Sequence, residues 1–468
     1  MALAVPVSAV DRNAIDRALS HANLEGAHIG VEIFSITTDE VVYSRNARAP
    51  LIVASNNKLV ATASALHHLG QDYKLSTRIY AQGSMEDHIL NGDLLLRGGG
   101  DPCLSGRYYP DDALAPLKQL AEAVKAAGIR EVRGVLVVDD TLFDREFIAP
   151  GWPTDQLDQH YCAPVSGLSL MENLVWVEIT PAPQAGMEAK LSLNPAFAPF
   201  TVVNQVSTTS KPNENLIHIE RPQAEGRLQV NGKTYFGNPM SSFSVPVCDP
   251  VAFFGAVFEQ TLESTGISVD RGWCPAESSP DYSRADCRLL GAVESDLIQA
   301  VILTNKESQN HFAEQLFKLA GWKAFGKGTF STGEAAARKM FQDLDLEDID
   351  PFTMKDGSGL SRGNSFSPHT LVRLLTAFYR SSLRDPFLRS LPIAGVDGSL
   401  EKRMASEPYA SRIRGKTGWI REVSALSGYG QSLSGEVFAF SILFNEYKGS
   451  NSTMKSIQDS ICKALVDS

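Results

Sequence analysis

No apolar run in the chain approaches the roughly 18–20 residues that a membrane-spanning helix needs, which leaves peripheral membrane contact at most. Basic residues are also short: 43 Lys and Arg stand against 54 Asp and Glu, a formal net charge of −11. Binding to a phosphate backbone depends on clusters of Lys and Arg. The sequence has no basic stripe, so nucleic acid is not an expected partner. Cysteine is scarce, and Cys103, Cys162, Cys248, Cys274, Cys287 and Cys462 form no CxxC pair. Without metal-ligand spacing, a zinc site is not expected. Cys274 and Cys287 are close enough in sequence for a local disulfide in an oxidising compartment, with free buried thiols as the alternative. Residues 1–10, MALAVPVSAV, are apolar but lack the basic start of a signal peptide. Two readings stay open: an exported protein whose signal peptide has given way to a start Met, or a cytoplasmic one.

What is present is ordinary for a soluble globular protein: 43% hydrophobic and 21% charged residues over 468 positions, enough for two to four domains. Residues 11–21 are compatible with a helix. Ile29, Val31 and Ile33 with Phe34, then Val41 and Tyr43, flank turn residues 37–40 as a hairpin would. Residues 59–69 are apolar almost all round, the mark of a buried helix. Residues 97–102, RGGGDP, are a loop. An amphipathic helix over 114–127 precedes a short strand at 135–139, a unit of α/β type. From about 165 to 284 the chain is strand-rich. Helices return at 297–303 and 311–321. Strands follow at 415–423, 425–429 and 437–444, and a helix over 453–466 closes the chain. Strands from both ends thus make one antiparallel sheet against helices, with the middle inserted.

Three short motifs carry chemistry. Ser55–Asn56–Asn57–Lys58 places a lysine three residues after a serine at the start of a helix, on the same face. A serine hydroxyl needs a base. Burial in the apolar helix lowers a lysine amine toward neutrality and makes it one. Ser399, Ser452 and Ser460 match the same SxxK pattern. Ser452 and Ser460 fall at or in the terminal amphipathic helix, and Ser399 follows a glycine-containing loop. Ser308–Gln309–Asn310 lies in a turn between helices. Ser308 there can pass a proton from Lys58 to a leaving amine, or simply cap a helix. Asn310 can hold a substrate carbonyl or Lys58. Lys416–Thr417–Gly418 occurs once, on a strand. Lys416 adds positive charge near Ser308, Gly418 admits close backbone approach, and an exposed strand edge suits an extended peptide. The backbone N–H groups of Ser55 and Trp419 are the expected oxyanion donors.

SxxK, SxN and KTG in this order are a signature of penicillin-binding proteins and class A β-lactamases. The gap between Ser55 and Ser308 is too long for the latter. The chain resembles the low-molecular-mass class C penicillin-binding proteins, the D-alanyl-D-alanine carboxypeptidase/endopeptidase family. Further motifs carrying the resemblance are Gly98–Gly99–Gly100–Asp101–Pro102, Gly151–Trp152–Pro153, Tyr161–Cys162–Ala163–Pro164 and Asp356–Gly357–Ser358–Gly359–Leu360–Ser361–Arg362. It implies an α+β fold: a β-lactamase/transpeptidase-like domain, antiparallel sheet with helices (1–72 and 286–468). That domain is interrupted by a mainly β domain (73–96 and 165–285) and a small α/β domain (97–164). It further implies periplasmic or other export, no cofactor, peptidoglycan peptides as substrates and β-lactams as inhibitors.

In two places the chain departs from the family pattern. Gln309 stands where the family usually has Asp, and its side chain is expected to point away from substrate. Trp419 follows the KTG motif where a small hydroxyl residue helps bind the terminal carboxylate, and Arg421 replaces an amide nearby. The lost hydroxyl is expected to affect carboxypeptidase action more than cleavage of cross-links. Asp155 and Asp158 fall in the segment that lines the diaminopimelate pocket in the family, and Arg362 is placed to meet that side chain's carboxylate. The rivals are a β-lactamase on the same scaffold and a catalytically weak peptidoglycan-binding protein.

Overall fold

Apolar strands from the two ends of the chain pair into one sheet in the computed structural model, which describes residues 10–196, 198–221 and 226–468. Apart from Val10, the apolar opening lies outside the described residues. The chain divides into two compact units. One comprises Met1–Tyr73, Ala149–Trp152 and Asp296–Ser468, and the other Lys74–Ile148 and Pro153–Ser295.

In the first unit the strands are β1 (His28–Ser35), β2 (Glu40–Arg45), β3 (Ile413–Ile420), β4 (Val423–Gln431) and β5 (Val437–Asn445). They lie in the order β3-β4-β5-β1-β2, and each neighbouring pair is antiparallel. Val31 faces Ile442 and Ile33 faces Phe440. Side chains alternate along a strand, so Phe438, Phe440, Ile442 and Phe444 share one face. The helices α1 (Arg12–Leu19) and α8 (Asn451–Val466) bury that face with Ile15, Leu19, Met454, Ile457, Ile461 and Leu465. Each such side chain contributes about 1.5–3 kcal/mol by leaving water.

The remaining helices of this unit are α2 (Asn57–Leu69), α3 (Leu297–Lys306), α4 (Asn310–Phe325), α5 (Phe330–Asp343), α6 (Pro368–Arg380) and α7 (Arg384–Ser390). The opposite face of the sheet receives α6, whose Leu375 carbonyl accepts from the Tyr429 hydroxyl at 2.7 Å. Every residue from Asn57 to Leu66 is buried, because α3, α4 and α5 pack around α2. Its small and apolar residues (Ala61, Ala63, Ala65, Leu59, Val60) permit that close packing on all sides.

The second unit holds a mixed sheet and two three-stranded sheets. The hairpin Lys74–Glu86 and Ile89–Arg97 is antiparallel, and Glu131–Val132 and Leu136–Asp139 join it in parallel. One hydrogen-bond ladder therefore links segments that the sequence reading assigns to two inserted domains. Ala115–Ala126 and Pro250–Ser264 are helices packed on this sheet. The two smaller sheets share a core of Val177, Ile179, Val206, Leu228, Val230 and Val245.

Two sequence expectations need correction, and one open alternative is settled. Pro250–Ser264 is a helix inside the stretch expected to be strands. Asp249 caps it by accepting from the Val251 and Ala252 N–H groups at 2.8 and 3.0 Å, and Phe254, Phe258 and Leu262 recur at helical spacing. The first C-terminal strand ends at Ile420, since Glu422 adopts φ +62° in a tight turn. All six cysteines are free, Cys274 and Cys287 included.

The segment that leads into α2 is tied down on both sides. Leu51 exchanges backbone hydrogen bonds with Phe366, both at 3.0 Å. The Asn445 side chain accepts from the Ile52 N–H at 2.8 Å and donates to the Ile52 carbonyl at 2.9 Å. Asn445→Ala leaves both peptide groups without these partners. It is expected to lower unfolding stability by about 1–3 kcal/mol in a urea titration. A loss below about 0.5 kcal/mol would mean that Asn445 does not secure the segment.

Candidate active site

Residues 54–56 form a short 3₁₀ turn immediately before α2, and Ala54 at φ +45° bends the chain sharply there. Ser55 lies in this turn and Lys58 one helical turn later. Lys58 is wholly buried, and its amine donates to Ser55 Oγ at 2.9 Å, to Asn310 Oδ1 at 2.8 Å and to the Ser358 carbonyl at 2.8 Å. Burial drives its pKa down to about 7, against the opposing pull of the Glu314 and Asp356 carboxylates. An amine in that range is substantially unprotonated near neutral pH, as a base for a serine hydroxyl must be.

The Ser358 carbonyl is fixed by two buried acids. Glu314, one turn after Asn310 on α4, accepts from the Gly357 and Ser358 N–H groups at 2.6 and 2.8 Å. Asp356 accepts from the Gly359 and Ser361 N–H groups, both at 2.7 Å, from Trp152 Nε1 at 2.9 Å and from Asn364 Nδ2 at 2.8 Å. Burial raises both acids, Glu314 to about 8, with Asp356 adding to the Glu314 shift. Gly359 passes so close to α2 that a Cβ there would meet the Ala54 carbonyl oxygen at 1.8 Å. This loop is the quoted Asp356–Arg362 motif. Sequence reasoning missed Glu314, although its spacing of four from Asn310 puts the two on one helix face.

Ser308 sits at φ +59° between α3 and α4. The cap of α4 belongs to Gln309, whose side chain accepts from the His311 N–H at 3.0 Å. Ser308 Oγ instead accepts from the Lys416 amine at 2.8 Å, which also reaches the Thr417 carbonyl at 2.9 Å. Lys416 is wholly buried, and burial together with the nearby Lys58 charge pushes its pKa well down. Lys58 thus joins the first motif to the second, and Lys416 joins the second to the third.

Strand β3 closes the site. A Cβ on Gly418 would lie 2.8 Å from the Val53 carbonyl oxygen and 3.0 Å from the Ser55 nitrogen. Buried Asn56 locks the same contact: its amide nitrogen donates to the Lys416 carbonyl at 2.7 Å and its oxygen accepts from Ser427 Oγ at 2.7 Å. The Thr417 hydroxyl donates to Ser399 Oγ at 2.7 Å, so Ser399, one of the other SxxK serines, lies beside the KTG strand. Trp419 is 56% exposed. Arg362 donates to the Arg421 carbonyl at 2.8 Å, bracing the β3–β4 turn. Asp155 and Asp158 belong to the second unit; Asp155 is exposed in a 3₁₀ turn and Asp158 accepts from Gln159 at 3.0 Å. A cavity of about 220 Å³ is lined by Ser55, Ser308, Thr417, Gly418 and Trp419, with further residues from β4 and α8.

Comparison with known proteins bears on this arrangement. A family model described as D-Ala-D-Ala carboxypeptidase 3 (S13) matches residues 11–466. A D-alanyl-D-alanine carboxypeptidase of an Actinomadura species is 32% identical over 97% of this chain and 84% of its own. The carboxypeptidase DacB of Haemophilus influenzae is 24% identical over 90% of this chain and 86% of its own. The crystal structure of penicillin binding protein 4 from Haemophilus influenzae superposes with a TM-score of 0.83 at 23% identity, covering 97% of this chain and 99% of that one. At that identity the likeness concerns the fold.

The contact at Gly418 is testable. Its neighbours are backbone atoms that cannot swing aside, so Gly418→Ala must part β3 from the Ser55 turn. Acylation by a fluorescent penicillin is expected to slow by about 10²-fold or more, with circular dichroism unchanged. An unaltered rate in a folded variant would show that this approach is not needed.

Proposed function

The chain belongs to the D-Ala-D-Ala carboxypeptidase 3 (S13) family, and we propose that its serine D,D-peptidase chemistry runs through an acyl-enzyme on Ser55. The observation that carries this is the 2.9 Å contact between Ser55 Oγ and a buried lysine amine whose pKa is near 7. Unprotonated Lys58 takes the Ser55 proton as Oγ attacks the carbonyl of the penultimate D-alanine. The resulting oxyanion is met by the N–H groups of Ser55 and Trp419. Ser308, with Lys416 behind it, relays that proton from Lys58 to the leaving amine, which restores Lys58 as a base, and Asn310 keeps Lys58 aimed. Water then attacks the ester and releases the enzyme. β-Lactams acylate Ser55 by the same opening step.

On this reading 1–72 and 286–468 form the catalytic domain, interrupted by the inserted segments (73–96 with 165–285, and 97–164), and the substrates are peptidoglycan peptides in the periplasm. Arg362 is proposed to meet the carboxylate of a diaminopimelate side chain, and Asp155 and Asp158, in the second unit, are proposed as substrate-binding residues by the family pattern alone. Nucleic acid plays no part, and membrane contact is peripheral at most. Trp419 in place of a small hydroxyl residue favours cleavage of cross-links over trimming of free D-Ala-D-Ala ends. Digestion of purified muropeptides, read by mass spectrometry, measures that preference directly.

Two outcomes are expected. Peptide mapping after penicillin labelling should find the adduct on Ser55 and none on Ser399, Ser452 or Ser460. An adduct confined to another serine would sink the assignment. Because Lys58 acts when unprotonated, the second-order rate of acylation should fall as pH drops below about 7. Lys58→Ala should reduce that rate by about 10²- to 10⁴-fold. A rate independent of pH between 5 and 8, or a fully active Lys58→Ala protein, would remove Lys58 as the base.

A further inference from the structure

The cavity at Ser55 reaches past β3 to two cations outside the three motifs that carry the chemistry, although Lys455 is the lysine of the Ser452 SxxK match. Arg403, between α7 and β3, and Lys455, on α8, line it together with Ser55, Ser308, Thr417 and Trp419. Resting on the acyl-enzyme reading above, we propose that Arg403 and Lys455 anchor the carboxylate borne by the leaving amino acid.

The first argument is the state of Arg403. It is 92% buried, being 8% exposed. Its Nε and Nη2 both donate to Asp459 Oδ1, at 2.9 and 2.7 Å, and Nη2 also reaches Gln458 Oε1 and the Lys455 carbonyl, both at 3.2 Å. Nη1 is buried with no hydrogen-bond partner. A guanidinium N–H out of water without an acceptor is unfavourable, and an incoming carboxylate oxygen relieves it.

Charge is the second argument. Asp459 balances Arg403 alone. Lys455 is exposed and has no acidic partner within salt-bridge distance among the described residues, so the cavity wall keeps a net positive charge. None of the residues lining the cavity is acidic.

The third argument is what the strand cannot supply. Thr417 spends its hydroxyl proton on Ser399, and Trp419 has a single side-chain donor on an indole that is 56% exposed. The β3 side chains therefore offer little to a carboxylate that arrives one carbon away from the leaving nitrogen. A planar guanidinium and a mobile ammonium on the facing wall fit that anion.

The test compares an N-acylated peptide ending in D-Ala-D-Ala with the same peptide as its C-terminal amide, using the full chain. Lys455→Met should lower the ratio of kcat/KM for acid over amide by about tenfold, chiefly through KM for the acid. Arg403→Gln should lower the ratio further. Arg403→Gln disturbs the Asp459 pair, so its thermal melt is recorded, and if it unfolds Lys455→Met decides alone. An unchanged ratio in Lys455→Met, or equal losses on acid and amide, overturns the proposal. A wild-type protein that labels with no penicillin and cleaves neither peptide overturns the acyl-enzyme reading instead, and this inference with it.

Discussion

Everything at this site depends on keeping one primary amine out of water. Lys58 has no exposed surface, and taking an ammonium group out of solvent costs several kcal/mol unless partners compensate. Its three acceptors are a serine hydroxyl, an amide oxygen and a peptide carbonyl, all uncharged. The compensation is partial, and the result is an amine near 7 rather than near 10. A carboxylate in direct contact would have restored the charge and abolished the base. The nearest acids instead act at one remove, through the loop that carries the Ser358 carbonyl.

That loop explains why acids are buried here at all. Glu314 and Asp356 each accept several backbone N–H groups, so they serve as anchors for a turn that has no sheet or helix to hold it. Backbone N–H donors favour the carboxylate form, while burial and mutual repulsion favour the acid, and the second influence wins. A turn fixed in this way presents its carbonyl to Lys58 with neither carboxylate hydrogen-bonded to the amine.

Much of this was legible in the sequence, and the rest fails for identifiable reasons. The two-ended sheet was readable because its strands alternate and its helices have apolar faces. Ser55, Lys58, Ser308, Asn310 and Lys416 stood out by motif order, and the fold pairs Lys58 with Ser55 and Asn310, and Lys416 with Ser308. The helix at Pro250–Ser264 was missed because its valines and phenylalanines (Val251, Phe253, Phe254, Val257, Phe258) resemble strand composition, while Asp249–Pro250, its start signal, was passed over. Glu314 was hidden because a charge in a helix ordinarily means a solvated face. Arg403 belongs to an irregular segment with no periodicity to place it, and only the tertiary fold sets it beside α8.

Trp419 shows how one constraint permits a departure at the neighbouring position. Gly418 is held by backbone atoms of the Ser55 turn on one face of β3. Alternation along the strand then sends residue 419 to the opposite face, opposite Ser424, where the edge of the sheet is open and an indole fits. The backbone N–H of residue 419 does not depend on its side chain, so the oxyanion role proposed for it is compatible with tryptophan in place of a small residue. What changes is the chemistry available to a carboxylate beyond the scissile bond. A hydroxyl there would bind it with a neutral donor close to the strand. The wall formed by Arg403 and Lys455 offers charge from farther away, and charge tolerates a range of positions better than a single short hydrogen bond. A leaving residue attached to more cross-linked peptide arrives with less freedom to settle into one geometry. An anchor built on charge is therefore better suited to it than one built on a hydroxyl.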